Sequence, residues 1–205
     1  MTINKLPNQE DVLKHSGLLG RSVEFFNELP TQYGDRATGG SNINPRGVGT
    51  TVSAGSNDGD LANLKRPAGS FSSNNIGSYY KITDIIHFTL DDSSPYDNTA
   101  YVGYAKGDGT ESAAFDVTNE QFIAGNATPK PSGSWDNNTA MELRIEHYPD
   151  DGYTDFTLGN SGKQVSKTVN GSVLRPDSLC YLECNGGAGQ SITVSRHLVS
   201  FEVQG

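Results

Sequence analysis

Ala140-Met-Glu-Leu-Arg-Ile-Glu-His-Tyr-Pro-Asp-Asp-Gly-Tyr-Thr-Asp-Phe-Thr-Leu158 carries the clearest secondary-structure signal in the chain. Apolar and polar residues alternate from Met141 to Tyr148, so Met141, Leu143 and Ile145 face one way and Glu142, Arg144 and Glu146 the other. Pro149-Asp150-Asp151-Gly152 supplies tight-turn chemistry, and Phe156 and Leu158 resume the strand pattern. The segment predicts a β-hairpin with one apolar and one charged face.

The rest of the chain repeats this style. It has 205 residues with 24 glycines, and Asn, Ser, Thr and Asp crowd between short apolar runs. No helical stripe outlasts about three turns. Tyr79 to Leu90 is the longest strand-like run and should be central, with Ile82, Ile86, Phe88 and Leu90 in the core. Gly47 to Val52, Thr99 to Ala105 and Glu111 to Val117 read as further strands, the last two joined over the Asp-Gly turn at 106–110. Lys163 to Val169, Ser178 to Cys184 and Gln190 to Val203 complete the series. Residues 31–47, the Ser/Asn stretch 70–78 and most of 118–135 read as loop, and a helix of at most two turns fits residues 8–16. About ten short strands without crossover helices predict an all-β fold, a two-sheet antiparallel β-sandwich.

Residues 1–46 are expected to form an N-terminal arm, with the sandwich over 47–205. Ser22 to Leu29 reads as a first strand ended by Pro30. Leu18, Leu19, Phe25 and Phe26 are too many apolar side chains to leave in water, yet too few for a core of their own. They are candidate assembly residues, to be covered by the main domain or by a neighbouring subunit.

Composition excludes some classes. The formal charge is −9 with Lys and Arg scattered singly, which is no footprint for nucleic acid. There is no run of about 20 apolar residues and no charged and apolar leader pattern, so neither membrane insertion nor a standard signal peptide is expected. Cys180 and Cys184 would stand roughly 13 Å apart on one strand, beyond the ~7 Å limit of a disulfide. They read as small buried hydrophobes. His87 reads as a neutral, satisfied histidine.

The order of motifs resembles the concanavalin-like, laminin-G-like jelly roll. Ile85 to Leu90, Ala100 to Ala105, the 141–158 hairpin and the closing strand 192–203 carry the resemblance over roughly residues 47–205. It implies a fold shared by lectins, glucan hydrolases and adhesion modules, with copies on prokaryotic virus surfaces. Glu142-Leu-Arg-Ile-Glu146 is similar to the Glu-x-Asp-x-Glu strand of glucanases on this fold, where two carboxyls act as nucleophile and acid/base. Arg144 replaces the central Asp, and its fixed charge favours the ionised form of both neighbours, so no catalytic residue is expected.

Sugar binding without catalysis asks for aromatic platforms with polar groups beside them. Trp135, Tyr148, Asp150, Asp151 and Tyr153 are the candidate glycan-binding residues. Asp58 and Asp60, in Ser56-Asn-Asp-Gly-Asp60, are candidate ligands for calcium, against the plainer reading of a loop turn; no other cofactor is implied. The expectation assembled from these features is a non-catalytic virion-surface protein, such as a capsid turret, decoration protein or tail fibre. It would be homo-oligomeric, would contact other virion proteins and would bind host-surface glycan. A glycoside hydrolase or a soluble extracellular lectin is the alternative.

Overall fold

The computed structural model describes residues 21–28, 34–47, 49–65, 79–91, 96–105, 112–171, 178–186 and 189–204. All fifteen strands among them pair antiparallel, in two sheets, and no helix occurs among the described residues.

The predicted hairpin sits near the middle of the first sheet. Its strands β11 (Ala140–Tyr148) and β12 (Tyr153–Gly159) pair so that Leu143 faces Leu158 and Ile145 faces Phe156. Alternation therefore puts Met141, Leu143, Ile145, Phe156 and Leu158 in the core. Outward from β12 lies β13 (Gln164–Asn170). On the other side β11 pairs with β6 (Lys81–Leu90), which pairs with β15 (Ser191–Gln204). The first half of β15 pairs with β4 (Gly49–Ser53), which carries β3 (Asn42–Arg46) at the edge. Its second half pairs with β1 (Arg21–Glu28), from Arg21 opposite Gln204 to Glu28 opposite His197. A register shift between Val194 and Arg196 divides the halves.

The second sheet runs β10 (Lys130–Pro131), β9 (Gln121–Ala124), β8 (Ala113–Asp116), β7 (Thr99–Tyr104), β14 (Ser178–Glu183), β5 (Leu61–Lys65) and β2 (Gly34–Ala37). Its inward residues Ala100, Val102, Tyr104, Phe115, Phe122, Leu64 and Leu182 meet those of the first sheet in one apolar core. Leu143, Ile145, Ile86 and Phe88, expected inside, are buried, as are Val199 and Phe201 on the closing strand. Cys180 and Cys184 are buried and not joined in a disulfide, as their spacing required.

Several strands were not legible in the sequence. Residues 31–47, read as loop, contain β2 and β3, and 118–135 contains β9 and β10. β2, β3 and β10 have almost no apolar alternation; they exist because each hydrogen-bonds to a neighbour that does. Pro45 and Pro131 fall on β3 and β10, the last strands of their sheets, where proline is tolerated. Residues 21–28, expected as the first strand within the 1–46 arm, do form a strand, and it pairs along β15 of their own chain. Leu18, Leu19, the expected helix near 8–16, the stretch 70–78 and the turn at 106–110 lie outside the described residues, as do the side chains of Phe25 and Phe26.

One polar cluster bridges the sheets inside the core. Tyr104 of β7 donates its hydroxyl hydrogen to Asp84 of β6, and His197 Nε2 of β15 lies 3.0 Å from Asp84 Oδ1. The same nitrogen is 3.3 Å from the Tyr104 hydroxyl. All three residues are at most 1% exposed, so their polar atoms have to find partners inside the protein.

Candidate functional site

The outer face of β11 carries a charged ladder that leads to an aromatic rung. Arg144 Nη2 lies 3.0 Å from Glu146 Oε1, and Lys81 Nζ lies 3.4 Å from the same oxygen and 2.6 Å from Glu202 Oε1. His87 Nε2 is 3.4 Å from Glu142 Oε2. Burial pushes the Glu146 carboxyl up, but Arg144 and Lys81 together hold it below the usual carboxylate range. Glutamate 146 is therefore an ionised acceptor between two cations. A retaining glycosidase needs one carboxyl kept protonated near neutrality, and this position opposes that.

At the end of the ladder Tyr148 and Tyr153 sit directly opposite one another in the register. The closeness of such pairs brings their rings into a stack with centroids 4.5 Å apart and planes 22° apart. Tyr80, just before β6, meets Tyr148 edge-on at 6.1 Å and 87°. The turn beyond is closed by Gly152 N–H donating to Tyr148 O, with Gly152 at φ +67°, a conformation that favours glycine. Asp150 and Asp151 are exposed in that turn. Burial raises both phenol pKa values, with nearby carboxylates adding to the effect. Both hydroxyls consequently stay neutral and able to donate.

The rung continues sideways across the sheet. Tyr153 pairs with Asn170, and Asp155 with Thr168, whose hydroxyl donates to the Asp155 carboxylate. Asn170 and Thr168 also line a cleft of about 360 Å³ with Ala127, Thr128 and Lys130, where the edge of β13 meets β10 and the turn before it. That volume lies within the ligand-sized range. Gly171 makes the close approach possible, because a Cβ there would stand 2.4 Å from Ala124 O and 2.8 Å from Ala127 Cβ.

Of the five residues proposed for glycan binding, Tyr148 and Tyr153 come together, with Asp150 and Asp151 in the adjoining turn. Trp135 does not join them. It precedes β11, whose length separates it from the tyrosines by roughly 26 Å. Its ring packs on the main core and carries Lys163 Nζ 4.4 Å from its centroid. Tyr80, Thr128, Lys130, Thr168 and Asn170 carry no signal of their own in the sequence, because only the folded chain makes them neighbours.

Asp58 and Asp60 also part company. Asp58 is exposed, whereas Asp60 accepts from Asn57 N at 3.1 Å and Asn57 Nδ2 at 3.2 Å. Its carboxylate fills a cradle of glycines: a Cβ on Gly39 would lie 1.6 Å from Asp60 Oδ1, and one on Gly55 would lie 2.1 Å from Oδ2. The Asn57 backbone N–H above all, with that of Gly40, holds the Asp60 pKa below its ordinary value against some burial. Asp60 thus ties its own loop to the 38–41 loop. Among the described residues no three His, Cys, Asp or Glu side chains are grouped so as to hold a metal.

Solved structures match this arrangement of strands at low identity. Arcelin-5, a lectin-like defence protein from Phaseolus vulgaris, superimposes with a TM-score of 0.59 at 10% identity, over 87% of this chain and 98% of that one. Basic winged bean lectin, solved with Tn-antigen, gives 0.60 at 11%, over 90% and 100%. A protein from Shewanella oneidensis MR-1 gives 0.59 at 14%, over 100% and 98%. The chain has the concanavalin A-like jelly-roll fold. No family model and no curated protein sequence matches it. Among lectin-like jelly rolls the shared property here is the sandwich itself, since identity this low carries no site residue across.

Proposed function

We propose that this jelly roll is a non-catalytic, lectin-like glycan-binding module whose binding surface is the Tyr80–Tyr148–Tyr153 rung with the neighbouring cleft. The observation that carries the reading is the continuity of an aromatic surface with a ligand-sized cleft walled by Thr128, Thr168 and Asn170. Aromatic faces meet the apolar C–H side of a sugar ring, while hydroxyls and amides meet its hydroxyl groups. Winged bean lectin with Tn-antigen and a lectin complexed with galactose show that neighbours of this fold take saccharides, which supports the class of ligand without locating it. The virion-surface setting expected from the sequence finds no support in these comparisons, so the proposal does not include it.

The absence of catalysis is part of the proposal, because Glu146 is held ionised by Arg144 and Lys81. Binding to an immobilised glycan panel tests it, with Tyr153→Ala and Asn170→Ala alongside the parent. Saturable binding to at least one glycan class, weakened tenfold or more by Tyr153→Ala as expected for loss of about 1.4 kcal/mol, would support the reading. Binding that both substitutions leave unchanged would place the site elsewhere.

A further inference from the structure

The cleft beside the tyrosine rung carries a charge that a neutral sugar would leave unused. Of the residues lining it, Ala127, Thr128, Thr168 and Asn170 are uncharged and Lys130 is a cation. No carboxylate among the described residues lines it. A cation set in a neutral lining, in a chain of net charge −9, is a feature that an anionic ligand would read.

Strand register supplies a second cation. Lys130 of β10 stands opposite Phe122 of β9, and Lys167 of β13 stands opposite Phe156 of β12. Directly opposed residues of an antiparallel pair share a face. Phe122 and Phe156 both belong to the core, where their rings stack with centroids 5.1 Å apart. Each lysine therefore lies on the inner row of its sheet, one strand out from the stacked rings. Val165 and Val169, two residues to either side of Lys167, share that row and pack on the core. β10 and β13 are the last strands of their sheets, so the inner row opens to water there and both lysines are exposed. Lysine suits such a place by laying its stem on the apolar rim and its ammonium group in water. Sheets packed face to face stand ~10 Å apart, which leaves the two ammonium groups free to converge on one ligand group.

Neither lysine has a carboxylate within ion-pair reach among the described residues. Lys81 and Arg144, by contrast, are both tied to Glu146. Asp155, one residue along in the register from Phe156, accepts from Thr168 on the outer face, away from the row of Lys167.

We propose that the glycan taken by this cleft is acidic, and that Lys130 and Lys167 hold its carboxylate or sulfate group. The inference rests on the glycan-binding reading above and names the ligand class of that same site. Two ammonium groups give the anion charged donors, and the Thr128 hydroxyl and Asn170 amide add neutral ones. As an edge strand β13 also leaves alternate backbone N–H groups without a ladder partner. A carboxylate and a sulfate ester present the same chemistry to these donors, a compact anion with several acceptor oxygens.

Full-length protein would be titrated calorimetrically with an oligogalacturonate, a sulfated galactan oligosaccharide and a neutral galactan oligosaccharide of the same length. The expected result is saturable binding of at least one acidic oligosaccharide, about fivefold or more tighter than the neutral one, the scale of one charge contact at an exposed site. Which acidic ligand binds decides between carboxylate and sulfate. Lys130→Gln and Lys167→Gln should each remove most of that preference, and Lys130→Arg should keep it. Both positions are exposed, so these variants leave the core intact. Raising the ionic strength from about 50 mM to about 500 mM should weaken acidic binding and leave the neutral ligand's affinity unchanged. Equal affinity for acidic and neutral oligosaccharides would overturn this inference and leave the glycan-binding reading standing. No saturable binding of any of the three would overturn it and count against that reading too. An acidic preference retained by both glutamine variants would overturn it as well, by placing the anion elsewhere.

Discussion

Asp60 shows how far single residues could be read in advance. Its place in an oxygen-rich loop was plain, but the glycines that receive its carboxylate come from two separate loops, at 39–40 and at 55. Only the folded chain brings them together. Gly55→Ala should accordingly destabilise the fold by about 1 to 3 kcal/mol, the usual cost of overpacking. The added Cβ would press on Asp60 Oδ2 and, at 2.9 Å, on the Gly40 backbone carbon. A denaturant melt measures this, and an unchanged midpoint would refute the cradle.

Glu146 makes a prediction about pH. Its folded pKa is depressed, so the stability from Arg144 and Lys81 is fully present above the unfolded carboxyl value of about 4.3. It is lost as the pH falls below that value and through the lower folded one. Thermal melts from pH 7 to pH 3 should therefore drop less steeply for Glu146→Gln than for the parent. Equal slopes would mean that the ladder contributes nothing to folding.

At the scale of elements, legibility followed side-chain alternation. β6, β11, β12 and β15 were readable because one face of each is apolar and buried. β2 (Gly34-Asp-Arg-Ala37) and β3 (Asn42-Ile-Asn-Pro-Arg46) carry no such pattern and follow from backbone pairing to β5 and β4. The tyrosine rung was half legible for a related reason. Tyr148 and Tyr153 flank a recognisable turn, whereas Tyr80 and Asn170 join them only through cross-strand register.

Two tests belong to single strands. Leu143, fully buried on β11, should cost about 2 to 5 kcal/mol when changed to alanine. Burial, with some help from Asp91, pushes the Cys180 thiol on β14 up to about 12. A thiol reagent at neutral pH should leave Cys180 unmodified in the native protein and react once it is unfolded. Rapid native labelling of Cys180 would contradict the placement of β14.

Across the whole molecule, the two sheets are joined by the apolar core and by the Tyr104–Asp84–His197 cluster. Tyr104→Phe removes a donor from a buried carboxylate and should destabilise by about 1 to 3 kcal/mol while leaving the ring packed. Sequence could not announce this cluster, since its members are widely spaced and come from three strands. Residues 21–28 pair within their own chain, and the association proposed for the N-terminal segment is assigned to residues 1–20. The expectation there is an oligomer that dissociates to folded monomers when those residues are removed. A sedimentation measurement showing monomer at high concentration for the full chain would end it.

The central claim is that the rung at the end of β11 and β12 binds glycan without cleaving it. Calorimetric titration of a glycan selected from the panel, on the parent and on Tyr153→Ala, tests it most directly, with the same mixtures assayed for released reducing sugar. The parent should bind saturably, Tyr153→Ala should show a Kd at least about tenfold weaker, and intact glycan should be recovered from both. Equal affinity in the two proteins, or reducing sugar that vanishes on Glu146→Gln, would contradict it.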